Sequence, residues 1–492
     1  MVAAKSVPQN RRLSSNDPFE AVLRPPPDET PAQREMRILA EQQAKQVSDA
    51  IDEQLRVERV ELKRARPDVK ILLLGQSESG KSTTLKQFQL LHTPAAFQAE
   101  RIAWRTVIYL NLVRSVRRIL DTISAEREEE TFDTASITSD RRTSTSSVPT
   151  DPEIHRIAAE KHTEYSAVLA PVLELEGRLI HRLREDDDDD EATRLGDGST
   201  PGWSTPRGEY AVRTTSNWKR AFTLKRSSKR IPTSTSWWDD PSDPVHVLDR
   251  CRDAMVRLWG DEWVRNRLVE KRVRLQESSG FYLDQIERIT AKDYSPTDDD
   301  VLKARLKTVG VVEHPFTISM GTMRGNTSWV IYDVGGARNQ RHAWAPFFQD
   351  VNSIIFLAPI SAFDQVLTED TRVNRLEDSL LLWRAVVSNK LLGKVPIVLF
   401  LNKCDLLREK LEAGVRLKSH LVTYGDRPND YESVSKYLRN KFGQLHNQNS
   451  PNRERELFIH YTSVVDREKT AQIIASVREA ILRLNLKTLR LM

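Results

Sequence analysis

The sequence is organised around residues 69–82, VKILLLGQSESGKS, in which a mostly apolar run leads into a glycine-rich loop. The apolar run is typical of a buried strand, and a helical pattern begins at Thr83. Residues 75–82 fit the pattern G-x-x-x-x-G-K-[ST], whose backbone amides close around phosphate oxygens. Lys81 can then reach the β- and γ-phosphates, and the Ser82 hydroxyl can ligate magnesium. An accidental glycine-rich turn is the alternative, but motif and context agree on a phosphate-binding loop.

Four later runs also have the character of strands. They are Trp329–Tyr332, Ser353–Leu357, Val395–Leu401 and Phe458–Tyr461. Helix-length stretches separate the five candidates. This alternation predicts an α/β fold with a mostly parallel sheet and helices on both faces.

A long, mostly helical stretch, residues 95–300, separates the first strand from the others. Its two helical parts cover about 97–126 and about 244–290. Between them, residues 124–240 are rich in Ser and Thr and contain an unbroken acidic run. Such a composition buries too little apolar surface to order itself. We therefore predict a largely disordered insertion, interrupted only by a short helix around 152–184.

The N-terminal region has two parts. Residues 1–30 are rich in Pro, Ser and Asn and indicate a disordered arm. Residues 31–66 predict one long helix with a thin apolar stripe that includes Val47, Ile51 and Leu55. The stripe favours a partner surface, and a solvated helix packed on its own domain fits the same pattern equally well.

The composition is ordinary for a water-soluble protein. With 492 residues the chain exceeds one core, so two or three compact units are expected. The 75 basic and 70 acidic residues leave a net charge of +5, which is too diffuse to indicate nucleic acid. The two cysteines, Cys251 and Cys404, suggest neither a disulfide framework nor a zinc site.

The sequence shows no signal for membrane insertion. No apolar run has the length of a transmembrane helix, and no signal-peptide core follows Met1. Val2 stands where myristoylation requires glycine, and no cysteine lies nearby for palmitoylation. We expect a cytoplasmic protein that reaches the inner face of the plasma membrane only through a lipidated partner.

The choice of base is indicated by residues 402–405, Asn-Lys-Cys-Asp, at the end of the most apolar strand. Ligands of open α/β sheets bind at this strand end. The Asp405 carboxylate can accept both guanine N–H groups, which adenine cannot match, and the Asn402 amide suits the opposite edge of the base. Taken alone the tetrapeptide could be a solvated turn, but after a phosphate-binding loop it indicates guanine.

Two further segments complete the predicted site. Asp333, at the end of another strand, can hold a water on magnesium, and Gly336 can donate its amide to the γ-phosphate. In residues 305–310, Thr308 can add a second hydroxyl ligand to magnesium, and Arg305 can neutralise charge on the transferred phosphoryl group. A plain β-turn and an ordinary basic surface stretch are the respective alternatives.

The order and wording of these motifs resemble the α subunits of heterotrimeric G proteins (Gα). Residues 277–283, Trp344, Asn374-Arg375 and 485–487 agree with that family as well. The resemblance covers about 31–122 and 240–492 and leaves the insertion unaccounted for.

The resemblance implies a division of the chain and a set of roles. A Ras-like GTPase domain would comprise 67–94 and 301–492, and an inserted all-helical domain would comprise 95–300 and close over the nucleotide. In the family, the glutamate of the phosphate-binding loop pairs with the arginine finger, and Glu78 and Arg305 occupy those positions. The implied nucleotide-binding set is Glu78, Ser79, Gly80, Lys81, Ser82, Thr83, Ser278, Arg305, Thr308, Asp333, Gly336, Asn402, Lys403, Asp405 and Val464.

The sequence departs from the family at two places in the site. Ala337 stands where the family has the glutamine that orients the attacking water, and a methyl group cannot hydrogen-bond. Gln340 lies three residues on, and nothing in the sequence brings it to the same point. Val464 replaces a small alanine beside the base and is stiffer and bulkier, which puts base affinity in doubt.

We therefore predict a Gα-like protein that binds GTP and GDP with Mg²⁺ and hydrolyses GTP slowly. The rival is a scaffold or effector-binding module that binds GTP but barely hydrolyses it. Ala337 favours the rival, whereas the retained Arg305 and Thr308 favour some remaining catalysis. The predicted catalytic residues are Arg305, Lys81 and Glu78. An ATP-using enzyme is opposed by the guanine-type tetrapeptide.

The partners implied by the resemblance are a Gβγ dimer at the N-terminal helix and a downstream effector at the switch segments, which include residues 333–337. The family's C-terminal tail meets seven-helix receptors and often has cysteine where Leu489 stands here, so receptor coupling is not assumed. No nucleic-acid partner is expected.

Overall fold

The computed structural model describes residues 30–65, 69–124, 152–184, 238–308, 310–319, 326–348, 351–367, 369–463 and 466–488. It divides between Arg66 and Pro67 into two units. In the first, helix α1 runs over Pro31–Ala65. It begins at a capping box, because the Thr30 amide donates to Gln33 Oε1 at 3.1 Å and the Gln33 amide to Thr30 Oγ1 at 3.4 Å.

The second unit is built on a six-stranded sheet. Its strands are β1 (Val69–Leu74), β2 (Val311–Ser319), β3 (Asn326–Val334), β4 (Ser353–Pro359), β5 (Ile397–Asn402) and β6 (Leu457–Thr462). They lie in the order β2-β3-β1-β4-β5-β6. All neighbours are parallel except β2 and β3, which are antiparallel. The predicted fold class is confirmed.

Strand β2 was not predicted from the sequence. Pro315 and the polar pair before it interrupt the apolar pattern, and Pro315 lies opposite Val330 in the ladder. Proline cannot donate a ladder hydrogen bond, so it is tolerated in a strand at the edge of a sheet. β2 is such an edge strand, which reconciles its proline with its position.

Helices cover both faces of the sheet. They are α2 (Lys81–His92), α11 (Arg375–Ser388), α12 (Cys404–Glu412), α13 (Tyr431–Asn449) and α14 (Arg467–Thr488). Ile71 and Leu73 of β1 belong to one apolar cluster with Phe88 of α2. Leu72 belongs to the opposite cluster with Trp383 of α11. The alternation along β1 therefore supplies both layers, as expected for a strand buried on two faces.

An all-helical part lies between β1 and β2 in sequence. It contains α3 (Pro94–Glu100), α4 (Trp104–Ile123), α5 (Pro152–Arg184), α6 (Val245–Arg250), α7 (Arg252–Gly260), α8 (Glu262–Glu270), α9 (Ile286–Ile289) and α10 (Asp298–Lys303). One apolar cluster joins these helices, with Val113 of α4, Leu175 of α5 and Met255 of α7 all fully buried.

Helix α5 confirms the helix predicted around 152–184 and has the same bounds, but at 33 residues it is long and not short. Its apolar face is buried in the same core as α4. The sequence concealed this face because Ser/Thr-rich and acidic tracts flank it. The rest of the insertion predicted over 124–240, on either side of α5, lies almost wholly outside the described residues.

Within the described ranges, no helix combines the length and the apolar character needed to cross a bilayer.

Candidate functional site

The loop after β1 is folded around the side chain that begins α2. Lys81 Nζ donates hydrogen bonds to the carbonyl oxygens of Gly75 and Gln76, each at 2.9 Å. The side chain is buried, and this burial lowers the pKa of Lys81 to about 8, although the Asp333 carboxylate acts in the opposite direction. The ammonium group is thus held inside the loop, where phosphate oxygens would replace the two carbonyl oxygens.

Three oxygen-bearing side chains from separate elements meet beside this lysine. Ser82 Oγ donates to Asp333 Oδ2 at 2.7 Å, and Thr308 Oγ1 to the same atom at 3.2 Å. The two hydroxyl oxygens are 3.1 Å apart. These are the three residues predicted to serve magnesium, and the fold brings them together.

The remaining oxygen of this carboxylate tests whether the cluster fits a cation. Asp333 Oδ1 is buried and has no hydrogen-bond partner within the described part of the chain. Burial raises the pKa of Asp333, although Lys81 opposes the shift. A buried carboxylate with a free oxygen beside two hydroxyls is a suitable ligand set for Mg²⁺, which prefers hard oxygen ligands. The residues present therefore fit the predicted ion.

Glu78 links the phosphate-binding loop to two arginines. It forms ion pairs with Arg305 Nη1 and, at 3.1 Å, with Arg375 Nη1. Burial alone would raise the pKa of Glu78, but the charges of Arg305, Arg375 and Lys403 lower it to about 2. Its φ of 58° lies in the left-handed region, which is uncommon for a residue with a Cβ.

The predicted pairing of Glu78 with Arg305 is therefore present in the geometry. Arg375, at the first position of α11, also donates to the Ser77 carbonyl oxygen at 2.8 Å. The sequence offered this arginine only as a point of family resemblance, with no role attached.

Arg305 is positioned by a residue that the sequence analysis missed. Asn111 Nδ2 donates to the Arg305 carbonyl oxygen at 2.9 Å, and Asn111 Oδ1 accepts from the Arg305 amide at 2.7 Å. Asn111 is a buried polar residue in the otherwise apolar run Val107–Val113 of α4. A lone asparagine in such a run was the available signal.

The segment after β3 packs directly on the phosphate-binding loop. A Cβ on Gly336 would lie 2.5 Å from Lys81 Nζ and 2.6 Å from the Ser77 amide nitrogen, so only glycine permits this approach. Trp344, on the 3₁₀ helix Arg338–Phe347, donates its indole N–H to the Gly335 carbonyl oxygen at 3.0 Å. Gly336 thus lies at the edge of a cavity that is also lined by Lys81, Ser82 and Thr308. We call this cavity the phosphate cavity.

Ala337 and Gln340 both line this cavity. Ala337 is buried, and its methyl group leaves the predicted glutamine position without a polar atom. Gln340 lines the cavity with Lys81 and Thr308, and the expectation that it does not reach the same point as the missing glutamine stays a prediction. The 3₁₀ geometry of 338–347 turns this side chain inward, which linear spacing did not reveal.

A second cavity adjoins the first and contains the predicted base-contacting residues. The residues that line it include Ser278, Lys403 and Asp405, and it shares Gly80 and Thr83 with the phosphate cavity. Asp405 is exposed, so its carboxylate is accessible to a ligand. Val464 lies outside the described residues, and its predicted effect on the base stays a prediction.

Asn402, at the end of β5, is buried and uses both ends of its carboxamide within the protein. Nδ2 donates to the Ser79 carbonyl oxygen at 2.7 Å, and Oδ1 accepts from Thr462 Oγ1 at 3.1 Å. It therefore ties the phosphate-binding loop to the strand ends that carry the base cavity. Burial lowers the pKa of the neighbouring Lys403 to about 8, although Glu78 acts against this shift.

These elements define a P-loop protein of the Ras-like class with an inserted helical part. Residues 45–481 match the family model described as G-protein alpha subunit, and the chain belongs to this family.

Curated relatives agree over almost the whole chain. The chain is 33% identical to a guanine nucleotide-binding protein alpha-4 subunit of Mycosarcoma maydis over 97% of this chain and 96% of the relative. It is 27% identical to a guanine nucleotide-binding protein subunit alpha of Coprinellus congregatus over 90% and 96% of the two chains. It is 29% identical to an alpha-1 subunit of Kluyveromyces lactis over 90% and 95%.

Proposed function

We propose that this chain is a guanine-nucleotide-binding signal transducer, the α subunit of a heterotrimeric G protein, which binds GTP or GDP with Mg²⁺. The observation that carries the proposal is the junction of two cavities at Gly80 and Thr83. One cavity has the cations and hydroxyls that suit a triphosphate, and the other has an accessible carboxylate that suits guanine. A nucleotide could span both.

Discrimination between bases tests this assignment. Asp405 can accept two N–H groups of guanine, whereas adenine would leave that carboxylate unmatched. A polar mismatch of this kind can reach about 10⁴-fold in affinity. In a competition assay against a fluorescent GTP analogue, GTP and GDP should displace the probe and ATP should not. Equal competition by ATP would contradict the proposal.

We also propose that the chain hydrolyses GTP slowly. Lys81 and Arg305 neutralise charge on the phosphates, and the Glu78 ion pair keeps the Arg305 side chain directed at the cavity. Bound Mg²⁺, held by Ser82, Thr308 and the Asp333 carboxylate, would supply further charge neutralisation at the phosphate oxygens. The residues that bind the nucleotide and Mg²⁺ are therefore retained. The glutamine that would orient the attacking water is absent, because position 337 is alanine.

Hydrolysis should be tested by single-turnover reaction of prebound GTP, with the natural protein beside the Ala337→Gln variant. Restoring the amide should raise the rate by up to about 10²–10³-fold, by analogy with removal of one oxyanion donor, and leave the dissociation constant for GTP nearly unchanged. If the natural protein is as fast as the variant, another residue orients the water.

A second candidate is a GTP-binding scaffold or effector-binding module without hydrolysis, and the buried methyl group of Ala337 favours it. The two candidates differ in one measurement, because the scaffold retains bound GTP with no detectable phosphate release over many hours. A natural protein that releases phosphate excludes the scaffold.

The proposed partner of α1 is a Gβγ dimer. Val47, Ile51 and Leu55 lie along this helix and are all exposed, so they form an apolar stripe. Replacing Val47 and Ile51 together with aspartate should abolish co-elution with Gβγ while leaving nucleotide binding unchanged. A double aspartate replacement at Gln42 and Gln46, which are exposed and lie away from the stripe on the helix, is the matched control. A receptor and an effector at the switch segments are further proposed partners, and an anchored location at the plasma membrane would follow from a lipidated Gβγ.

A further inference from the structure

Gln340 is a polar side chain of the phosphate cavity that the function proposed above does not use. It lies on the 3₁₀ helix Arg338–Phe347 and lines the same cavity as Lys81, Thr308 and Ala337. Its Oε1 is buried and has no hydrogen-bond partner among the residues that the structure describes. Buried polar atoms are nearly always satisfied, so this oxygen is an acceptor in need of a water or a ligand donor.

The inward position of Gln340 follows from the local backbone. Its Oε1 lies against the α-carbon of Gly335, where a Cβ would collide with it. The Gln340 amide donates to the Ala337 carbonyl oxygen at 3.0 Å, which closes the turn. This turn places Ala337 and Gln340 side by side among the residues that line the cavity.

We propose that Gln340 orients the attacking water for the slow hydrolysis that remains without a glutamine at position 337, an inference that rests on the proposed GTPase function. Gln340 Oε1 accepts a hydrogen bond from the water, whose oxygen forms a bond to the γ-phosphorus. The bond from that phosphorus to the β–γ bridging oxygen breaks, and its electron pair leaves with GDP. The protons of the water pass to the product phosphate and to solvent, and Gln340 is unchanged.

A neutral carboxamide is sufficient for this role because the charges are supplied elsewhere. Lys81 and Arg305 face the same cavity and carry the neutralisation of the phosphates. Gln340 only has to align the water, and it does not titrate. Its removal should therefore lower the rate by the same factor at every pH, without changing the shape of the pH profile.

The test compares the full-length natural protein with Gln340→Ala, Ala337→Gln, the double variant and Asn339→Ala. Asn339 is exposed on the same 3₁₀ helix and serves as the matched control. Three quantities are measured: the rate of single-turnover hydrolysis, the affinity for guanosine 5′-O-(3-thiotriphosphate), and the affinity for GDP with aluminium fluoride. The last complex resembles the planar phosphoryl group of the transition state.

For Gln340→Ala we expect hydrolysis to fall by about 10-fold or more, since removal of one well-aligned polar group costs up to about 10²–10³-fold. Affinity for GDP with aluminium fluoride should fall by a similar factor, because that complex needs the aligned water. Affinity for the thiotriphosphate should change less than about twofold, as expected when only transition-state interactions are lost. Asn339→Ala should match the natural protein, and adding Ala337→Gln should restore the lost rate.

Two results would overturn the inference. Unchanged hydrolysis and unchanged fluoride affinity in Gln340→Ala would show that the side chain takes no part. An equal loss of thiotriphosphate affinity without rescue by Ala337→Gln would show a purely structural role. Failure of the natural protein to bind the thiotriphosphate would instead contradict the proposed function, and it would be seen before any variant is compared.

Discussion

Asn111 holds the backbone of Arg305 at both of its hydrogen-bonding groups, with distances of 2.7 Å to the amide and 2.9 Å to the carbonyl oxygen. The two residues are 194 positions apart in sequence. Asn111 belongs to the core helix α4 of the all-helical part, whereas Arg305 lies three residues before Thr308, a proposed magnesium ligand. The position of the proposed arginine finger therefore depends on the folding of the helical part.

Asn111→Ala should impair hydrolysis more than binding. It leaves both Arg305 backbone groups without their partner, and a well-placed arginine of this kind is worth about 10³–10⁵-fold in rate. A shifted Arg305 should lose part of this rate enhancement, so the hydrolysis rate should fall by about 10-fold or more. The dissociation constant for GTP should change little. Single-turnover hydrolysis and equilibrium binding measure the two effects.

The control for this variant is Ser115→Ala, one turn further along α4, whose hydroxyl donates to the Asn111 carbonyl oxygen at 2.9 Å. It should behave like the natural protein. Equal losses of rate in both variants would indicate general damage to α4 and would contradict a specific role for Asn111.

Asp333→Asn should stabilise the metal-free protein. Because burial raises the pKa of this carboxyl above its unfolded value, its ionisation at neutral pH opposes folding. Removing the charge should raise the Tm at pH 7 by roughly 1–2 °C for each 1 kcal/mol recovered, because the unfolding entropy grows with the size of the unit. The same variant should lose the extra stabilisation that Mg²⁺ gives to the nucleotide complex. Thermal unfolding with and without Mg²⁺ checks both, and a lower Tm in the metal-free variant would contradict the argument.

Nucleotide affinity should decline above pH 8. The pKa of Lys81 in the free protein is about 8, so the ammonium is progressively lost above that value. Phosphate oxygens favour the charged form and raise its pKa, so binding takes up a proton in this range. Affinity should then fall by up to about tenfold per pH unit above pH 8 and stay nearly constant between pH 6.5 and 7.5.

Equilibrium binding from pH 6.5 to 9.5 measures this decline, with Lys81→Arg as the control. Arginine stays charged throughout, so the variant should bind more weakly but with a shallower pH dependence. Lys403, whose pKa is also about 8, should account for the pH dependence that remains in the Lys81→Arg variant. Identical pH profiles for both proteins would exclude Lys81 as the titrating group.

Helix α5 should prove essential to the all-helical part, although it lies inside the predicted insertion. Leu175→Ala removes a side chain that is 1% exposed and should cost about 2–5 kcal/mol of unfolding free energy. Val168→Ala, on the same helix but 48% exposed, should cost less than about 0.5 kcal/mol. Denaturant unfolding compares the two. Deleting all of 124–240 should therefore destabilise the protein, in contrast to what its composition suggests.

Local sequence determined the parts of this protein that depend on short-range patterns. The phosphate-binding loop, the guanine-type tetrapeptide and the strands that precede them are contiguous, because backbone amides and strand ends can be placed by a few neighbouring residues. The antiparallel edge strand β2 was not predicted from the sequence. Its proline is tolerated at the edge of a sheet but breaks the apolar pattern by which buried strands are recognised.

Only the tertiary structure decided which distant side chains share the site. No local motif predicts the contacts of three site residues, Asn111, Arg375 and Gln340. Each is placed by a partner on another element or by a turn of the backbone. Ala337 shows the limit most clearly. Its sequence position predicted a missing water-orienting group, whereas the 3₁₀ geometry after it places Gln340 among the residues that line the same cavity. Side-chain direction depends on backbone geometry and packing, which linear spacing does not encode.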